Sequence, residues 1–248
     1  MDNYPLLTAE TIYFLSDTHF RGRELPGEAK RHERFFALLQ QLPSGSALYL
    51  LGDIFNFYFE YHSAVQKQYF DIYRQLGACR DRGVELHFLG GNHDYWTRDF
   101  LGKELGIVVH KGKIRFAAQG RKIVCAHGDR IQPRDYGYKL LRMVVQNRPV
   151  IWTASLFHPD LLSGIAGLTA RWSARHHRRS HERTARALSA LAPRFFREGN
   201  DIFVMGHIHY PLLTLEEGRE FLILGDWLDH YTYGKLEAGR LSLEKFTG

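Results

Sequence analysis

Short apolar or β-rich runs recur along this chain, each followed at once by a polar, turn-forming stretch: Thr11–Ser16, Ala47–Leu51, Glu85–Gly90, Lys122–Ala126, Asp201–Met205 and Glu220–Leu224. Runs of this length bounded by turn signals predict buried strands. Between the early runs, helical spacing marks Lys30–Gln41 and Ala64–Arg82, so strands and helices alternate as in an α/β sheet. From about Val108 the runs follow one another with little helix between them, which predicts a second, more antiparallel sheet.

Pro133–Gly199 breaks this rhythm with helical patterns. Within it Arg171, Arg175, Arg179, Arg183 and Arg186 recur at near-i+4 spacing and would line one helix face, with Trp172 and Ala174 set off it. The expected organisation is one domain over residues 1–248, with a helical cap inserted at about 133–199 between two strands of the core.

Apolar residues at 44% and charged residues at 24% suit a soluble globular chain and exclude wholesale disorder. The net charge of +6 is unevenly spread. Between Lys139 and Arg197 eleven Lys/Arg stand against two acids, Asp160 and Glu182, so this stretch carries +9 and the remainder −3. Such asymmetry marks a docking surface for something anionic: nucleic acid, a lipid headgroup or a phosphate ester.

The first residues have no basic stretch leading into an apolar core, as an export signal would. The most apolar segment, Val150–Leu168, is broken by His158-Pro159-Asp160 and falls short of the ~20 apolar residues that cross a bilayer. A cytoplasmic location is expected, with peripheral contact at the inner membrane left open. Cys79 and Cys125 show no metal or disulfide spacing and are read as buried thiols in a reducing compartment.

The chemistry gathers where the strands end. Asp17 and His19 lie two apart beyond the first run, where alternate residues point to one side, so the pair can share one metal. The second run ends Gly52-Asp53, a tight exit followed by a carboxylate able to bridge two cations. The third ends Gly91-Asn92-His93-Asp94, the fourth Ala126-His127-Gly128-Asp129, and the fifth Gly206-His207-Ile208-His209. Ligands of an open α/β sheet collect beyond the carboxyl ends of its strands, and every one of these groups falls there. Any one alone is an ordinary turn acid or surface histidine; their joint order carries the argument.

The series D-x-H, GD, GNHD, HGD and GHIH, from Asp17 to His209, resembles the signature of the calcineurin-like metallophosphoesterases. That resemblance implies a four-layer α/β/β/α sandwich of two mixed sheets flanked by helices. It implies two divalent metal ions, one held by Asp17, His19, Asp53 and His209, the other by Asp53, Asn92, His127 and His207, with Asp53 bridging. Two carboxylates against two divalent ions leave a positive surplus for a phosphate, and a paired metal site needs no protein nucleophile. His93 is then spare, and is expected to act as general acid or charge stabiliser with Asp94 fixing its ring. Asp129 would orient His127 or close a turn.

A narrower resemblance lies in GDIFNFYFEY, HGDRIQPRDYGYKLLR, the basic insertion and LGDWLDHYTYGKL, which look like the UDP-2,3-diacylglucosamine hydrolases of lipid A synthesis. It implies cleavage of the pyrophosphate of a UDP-sugar lipid to UMP and a diacylglucosamine 1-phosphate. Manganese is the implied metal, while His/Asp/Asn sets also accept iron, zinc or magnesium. Asp135 and Tyr138 match that family's acid and aromatic after HGD and become sugar or cap contacts. The chain departs from the family's best-known branch at His93, where that branch has arginine, and at Ile208 and Tyr210. Arg130, Arg134 or cap arginines such as Arg175 and Arg179 would then supply phosphate-binding charge. Trp152, Leu156, Phe157, Leu161 and Leu162 suit acyl chains or dock the cap on the core.

Two rival readings stand beside this one. A nuclease or nucleotide phosphodiesterase would also use a basic patch, but nothing resembles a base-stacking or groove-reading module. A non-catalytic binding module on the same fold predicts missing metal donors, whereas this chain keeps all seven and His93. No feature points to a protein partner.

Overall fold

A computed structural model describes residues 4–129, 131, 147–154, 156–157, 181–190 and 192–248. The six apolar runs all form strands: β1 (Thr11–Leu15), β2 (Ala47–Leu50), β3 (Glu85–Leu89) and, after the two short strands β4 (Val108–His110) and β5 (Ile114–Ala118), β6 (Arg121–Ala126), β7 (Ile202–Met205) and, after β8 (Leu212–Glu216), β9 (Arg219–Ile223). A hairpin of β10 (Thr232–Glu237) and β11 (Arg240–Lys245) follows. The helical patterns appear as α1 (Glu28–Gln41) and α2 (Phe70–Asp81), the latter entered through a 3-10 turn at Lys67–Tyr69. In α1 the buried His32, Phe35, Phe36 and Leu39 recur at helical spacing. The helix stops just before Pro43, whose ring disfavours helical backbone in the preceding residue.

The strands divide into a six-stranded sheet, β11-β10-β1-β2-β3-β4, and a five-stranded sheet, β5-β6-β7-β9-β8. Within the first, β1 to β4 run parallel and the β10–β11 hairpin is antiparallel; within the second, β6, β7 and β9 are parallel and both edge strands antiparallel. The second sheet is therefore mixed, and it does not take every strand after Val108. β4 continues the parallel crossovers of the first sheet, and β10 returns to the edge of β1 that the crossovers leave unpaired.

Three apolar layers hold this arrangement. Leu15, Leu48, Leu50 and Phe88 on one face of the first sheet meet Phe35, Leu39, Ile72 and Leu76 of α1 and α2. Their strand neighbours Phe14, Tyr49 and Leu51 point the other way and pack with Ile123, Cys125, Val204 and Leu222 between the sheets, the two faces alternating as strand geometry demands. On the outer face of the second sheet Val124, Phe203 and Phe221 meet Ala185, Leu188, Ala192 and Phe196. These last belong to the helices His181–Ser189 and Ala192–Phe195 and the turn Phe196–Glu198. The result is helix, sheet, sheet, helix. Each fully buried Phe or Leu in these layers contributes about 1.5–3 kcal/mol.

The described part of the 133–199 insertion thus includes that outer helical layer, together with the helix Arg148–Ala154. Of the arginine stripe, Arg183 and Arg186 are exposed, with Arg186 paired to Glu182 at 2.9 Å. Arg171, Arg175 and Arg179 lie outside the described residues. Cys79 and Cys125 are free and buried.

Candidate metal centre

Because β1, β2 and β3 are parallel in one sheet and β6 and β7 in the other, their carboxyl ends open onto one seam. The loops there are laced together. The Asp17 N–H donates to the Gly52 carbonyl at 3.0 Å, His19 N–H to the Asp53 carbonyl at 2.8 Å, and Gly206 N–H to the His127 carbonyl at 3.0 Å. Across the seam, the His207 N–H donates to Asp17 Oδ2 at 2.8 Å.

Asp17, His19, Asp53 and His207 all adopt left-handed backbone, with φ of 53°, 43°, 55° and 68°. Such conformations cost non-glycine residues of order 1–3 kcal/mol each and persist where the surroundings over-determine them. Here the sharp exits turn four side chains into one place. Gly52 serves the same end, with φ of 91°: a Cβ there would stand 2.6 Å from His127 Nδ1 and 2.7 Å from Gly91 Cα.

The side chains converge in two groups, linked by a third made of His19, Asp53 and His93. Asp17, His19 and His209 form one: His209 Nε2 lies 3.4 Å from Asp17 Oδ1 and 3.3 Å from His19 Nε2. Asp53, His127 and His207 form the other, with His127 Nε2 3.4 Å from Asp53 Oδ2 and 3.3 Å from Asn92 Oδ1. Asp53 Oδ2 also lies 3.7 Å from His19 Nε2, so one carboxylate oxygen touches both groups. All seven residues that the family resemblance implies as donors are brought together.

These residues fit a pair of cations. Asp17 Oδ1 is buried and receives no hydrogen bond. His19 and His209 bring their Nε2 atoms to 3.3 Å, a spacing that suits either a shared proton or two donors on one cation. Two donors each about 2.1 Å from one cation, at ordinary coordination angles, lie roughly 3.0–3.5 Å apart, close to the spacings seen. The imidazole of His127 is set for this role by its other nitrogen, since the Leu51 carbonyl at 2.8 Å can only accept and so fixes the proton on Nδ1. The carbonyl of Leu51 thus orients that ring.

Burial works against charge on Asp53, yet the charges of His127 and His93 hold its carboxyl well below the usual range. Asp17 is likewise lowered, against its own burial, by the His209 imidazole beside it. Burial first, and then the charge of His93, lower His19 to about 3, and burial with His127 lowers His207 to about 4. His127 goes the other way: burial opposes it, but Asp53 pushes it up to about 10. His209 is raised too, against its burial, by Asp17, so the two ionised carboxylates of this buried seat sit among two neutral imidazoles and two drawn toward their charged form.

His93 adjoins this seat, its ring edge-on to His19 at 4.7 Å between centroids. Its Nδ1–H donates to the Asn56 carbonyl at 2.7 Å, which leaves Nε2 as the reactive nitrogen, and its backbone N–H donates to Asp53 Oδ1 at 2.9 Å. The expectation that Asp94 fixes the His93 ring is corrected. The Asp94 carboxylate instead turns back to accept the N–H groups of Gly91 (2.7 Å), Asp53 (3.1 Å) and Ile54 (2.7 Å), pinning the Asp53 loop to the Asn92 loop. Burial, and then the charge of Asp53, raise Asp94 to about 6. Beside His93 opens a cleft lined by Phe57, Tyr58, Asn92, Tyr95 and Trp96.

Two supports were not singled out in the sequence. Buried Arg31 donates to the Thr18 carbonyl and to Glu28 (2.6 Å), bracing the loop that carries His19. Asp226, in the turn after β9, faces His209 Nδ1 at 3.6 Å. Arg130, Arg134, Asp135, Tyr138, Arg175 and Arg179 lie outside the described residues.

A two-sheet sandwich that delivers paired His and Asp donors to the seam of its strand ends defines a hydrolase working with divalent metals. The sequence matches the calcineurin-like phosphoesterases over residues 10–211, and the chain belongs to that family; it is a phosphoester hydrolase. The UDP-2,3-diacylglucosamine hydrolase of Porphyromonas gingivalis is 31% identical to it, over 94% of this chain and 96% of that one. The enzyme of the same name from Stenotrophomonas maltophilia is 26% identical, covering 94% and 98%. Among solved structures, an archaeal phosphodiesterase overlaps 94% of this chain and 98% of its own at a TM-score of 0.45 and 12% identity, a loose likeness. Among the described residues no helix is long and apolar enough to cross a membrane.

Proposed function

We propose that this enzyme hydrolyses the pyrophosphate bond of UDP-2,3-diacylglucosamine, releasing UMP and 2,3-diacylglucosamine 1-phosphate. The reading rests on one observation: a relative bearing that activity in its name aligns over nearly the whole of both chains. In this reading Asp17, His19, Asp53 and His209 hold a first metal, and Asp53, Asn92, His127 and His207 a second. Manganese is the proposed ion. When bound, such a pair polarises phosphoryl oxygens and lowers the pKa of water enough to supply a nucleophile near neutral pH.

The chain's own residues do the rest. His93, with Nδ1 committed to Asn56, offers Nε2 to the leaving oxygen or to a phosphoryl oxygen, as acid or charge stabiliser. Asp94 acts by holding the Asp53 and Asn92 loops in register. The aromatic cleft beside His93 would receive an apolar or flat part of the substrate next to the phosphate.

The part of the 133–199 insertion that precedes the outer helical layer is proposed as a cap over this cleft. Its Trp152, Leu156 and Phe157 are exposed, and the Tyr61 hydroxyl donates to the Phe157 carbonyl at 3.3 Å, bringing that apolar stretch toward the Phe59–Tyr61 loop. Arg130, Arg134, Asp135, Tyr138, Arg175 and Arg179 are proposed contacts for diphosphate, sugar or cap. A cytoplasmic enzyme meeting its lipid at the inner-membrane surface completes the reading.

The decisive experiment is mass-spectrometric identification of products from UDP-2,3-diacylglucosamine, beside single- and double-stranded DNA, each with manganese and dilute detergent. UMP and the sugar phosphate from the lipid alone are expected; turnover of DNA alone would reject the lipid substrate.

A further inference from the structure

We propose that Asp226 is a positioning residue for His209, holding the imidazole with its proton on Nδ1 so that the Nε2 lone pair stays available to the first metal. This inference rests on the dinuclear reading of the site. Asp226 is only 2% exposed, and its two oxygens are divided between separate tasks. Oδ1 accepts the N–H groups of Leu228 (3.0 Å), Asp229 (2.8 Å) and His230 (3.0 Å), which builds the turn. Oδ2 accepts a hydrogen bond from His230 Nδ1 at 3.1 Å and faces His209 Nδ1 at 3.6 Å, a charge contact just beyond hydrogen-bond reach.

On its far side the His209 ring points Nε2 at Asp17 Oδ1 (3.4 Å) and His19 Nε2 (3.3 Å). A carboxylate behind one ring nitrogen favours the tautomer protonated there and raises the donor strength of the other. The same turn reaches the other half of the first group, because the Trp227 N–H donates to the Asp17 backbone carbonyl at 3.2 Å. Asp226 therefore sets His209 while its neighbour sets Asp17. The signal in the sequence was weak: Gly225-Asp226 looks like any turn, and the histidine it serves lies seventeen positions earlier.

Asp226→Asn separates the two tasks. The amide oxygen still accepts the three backbone N–H groups, whereas the amide NH2 now faces both imidazoles and drives the His209 proton onto Nε2, where it blocks the lone pair. The test titrates the metal-free full-length enzyme with manganese by calorimetry, using His19→Ala and His127→Ala to label the first and second binding events. Expected for Asp226→Asn is a roughly 10–100-fold weaker first event, an unchanged second event, and an unchanged thermal midpoint of the metal-free protein. Wild-type affinity at both positions would overturn the proposal. So would equal loss of both events together with a lowered midpoint, which would make Asp226 a residue of the fold alone. A wild-type protein taking up fewer than two ions would instead remove the dinuclear reading beneath it, a failure seen before any variant is made.

Discussion

Asp53 and His127 meet across the seam between the sheets: Oδ2 of the first, beyond β2, lies 3.4 Å from Nε2 of the second, beyond β6, with each side chain only 3% exposed. The same oxygen lies 3.7 Å from His19 Nε2. The site is a joint between two halves of the sandwich, held by a carboxylate that both halves share.

Asp53→Ala should accordingly abolish turnover and lower metal content at both positions, since among the described residues its carboxylate is the one that approaches both groups. Elemental analysis of the purified variant after equilibration with manganese checks this; two ions per chain would contradict the assignment. The metal-free variant should also be less stable than the metal-free wild type at neutral pH, because the ionised carboxylate held low by His127 and accepting the His93 N–H has been removed.

His93→Ala should keep both metals and lose about 10²–10⁴ in kcat, the range expected when a positioned acid or base is deleted. Metal content and single-turnover rates are the measurements. A rate equal to wild type would take His93 out of the chemistry, whereas lost metal would make it a donor.

Gly52→Ala tests the close approach of the loops. It adds a methyl 2.6 Å from His127 Nδ1 on backbone at φ 91°, while Gly45→Ala at φ 79° meets open space. Both variants carry the backbone penalty of roughly 1 kcal/mol. Only Gly52→Ala should also lose second-position metal, read by calorimetry against denaturant stability for the two proteins.

Away from the centre, the His87 ring stacks on Tyr49 at 4.2 Å, and burial lowers its pKa to about 4. Glu85 Oε1 approaches His87 Nε2 to 2.9 Å without forming a hydrogen bond and lies in solvent, so burial wins. The folded state then binds fewer protons than the unfolded chain. This contribution is present above about pH 6.5 and is lost as pH falls toward 4, by up to about 3 kcal/mol. Urea unfolding of metal-free wild type and His87→Gln between pH 7 and 4.5 should show a shallower decline in the variant; parallel curves would refute it.

The strands that bear the donors were legible because each is a continuous apolar run ending in a turn. β10 and β11 were not, since Thr232, Gly234, Lys235, Ser242 and Glu244 break up their apolar positions, and only pairing with β1 makes them strands. The strand-end clusters were legible from their order, and the family resemblance which that order carries picked the seven donors out of them. Asp94 was misjudged because adjacency to His93 suggested a contact that the loop forbids: its carboxylate folds back into the backbone while His93 faces outward to Asn56. Arg31 and Asp226 carry no local pattern, and their partners Thr18 and His209 are neighbours only after folding.

The seat of β1 between β2 and β10 bears on biosynthesis. Asp17 is made early, yet the strand that pairs beside it and the turn that grips its carbonyl come about two hundred residues later. A growing chain therefore carries Asp17 and His19 without those supports, and cannot hold a metal tightly there, until that later stretch has been made.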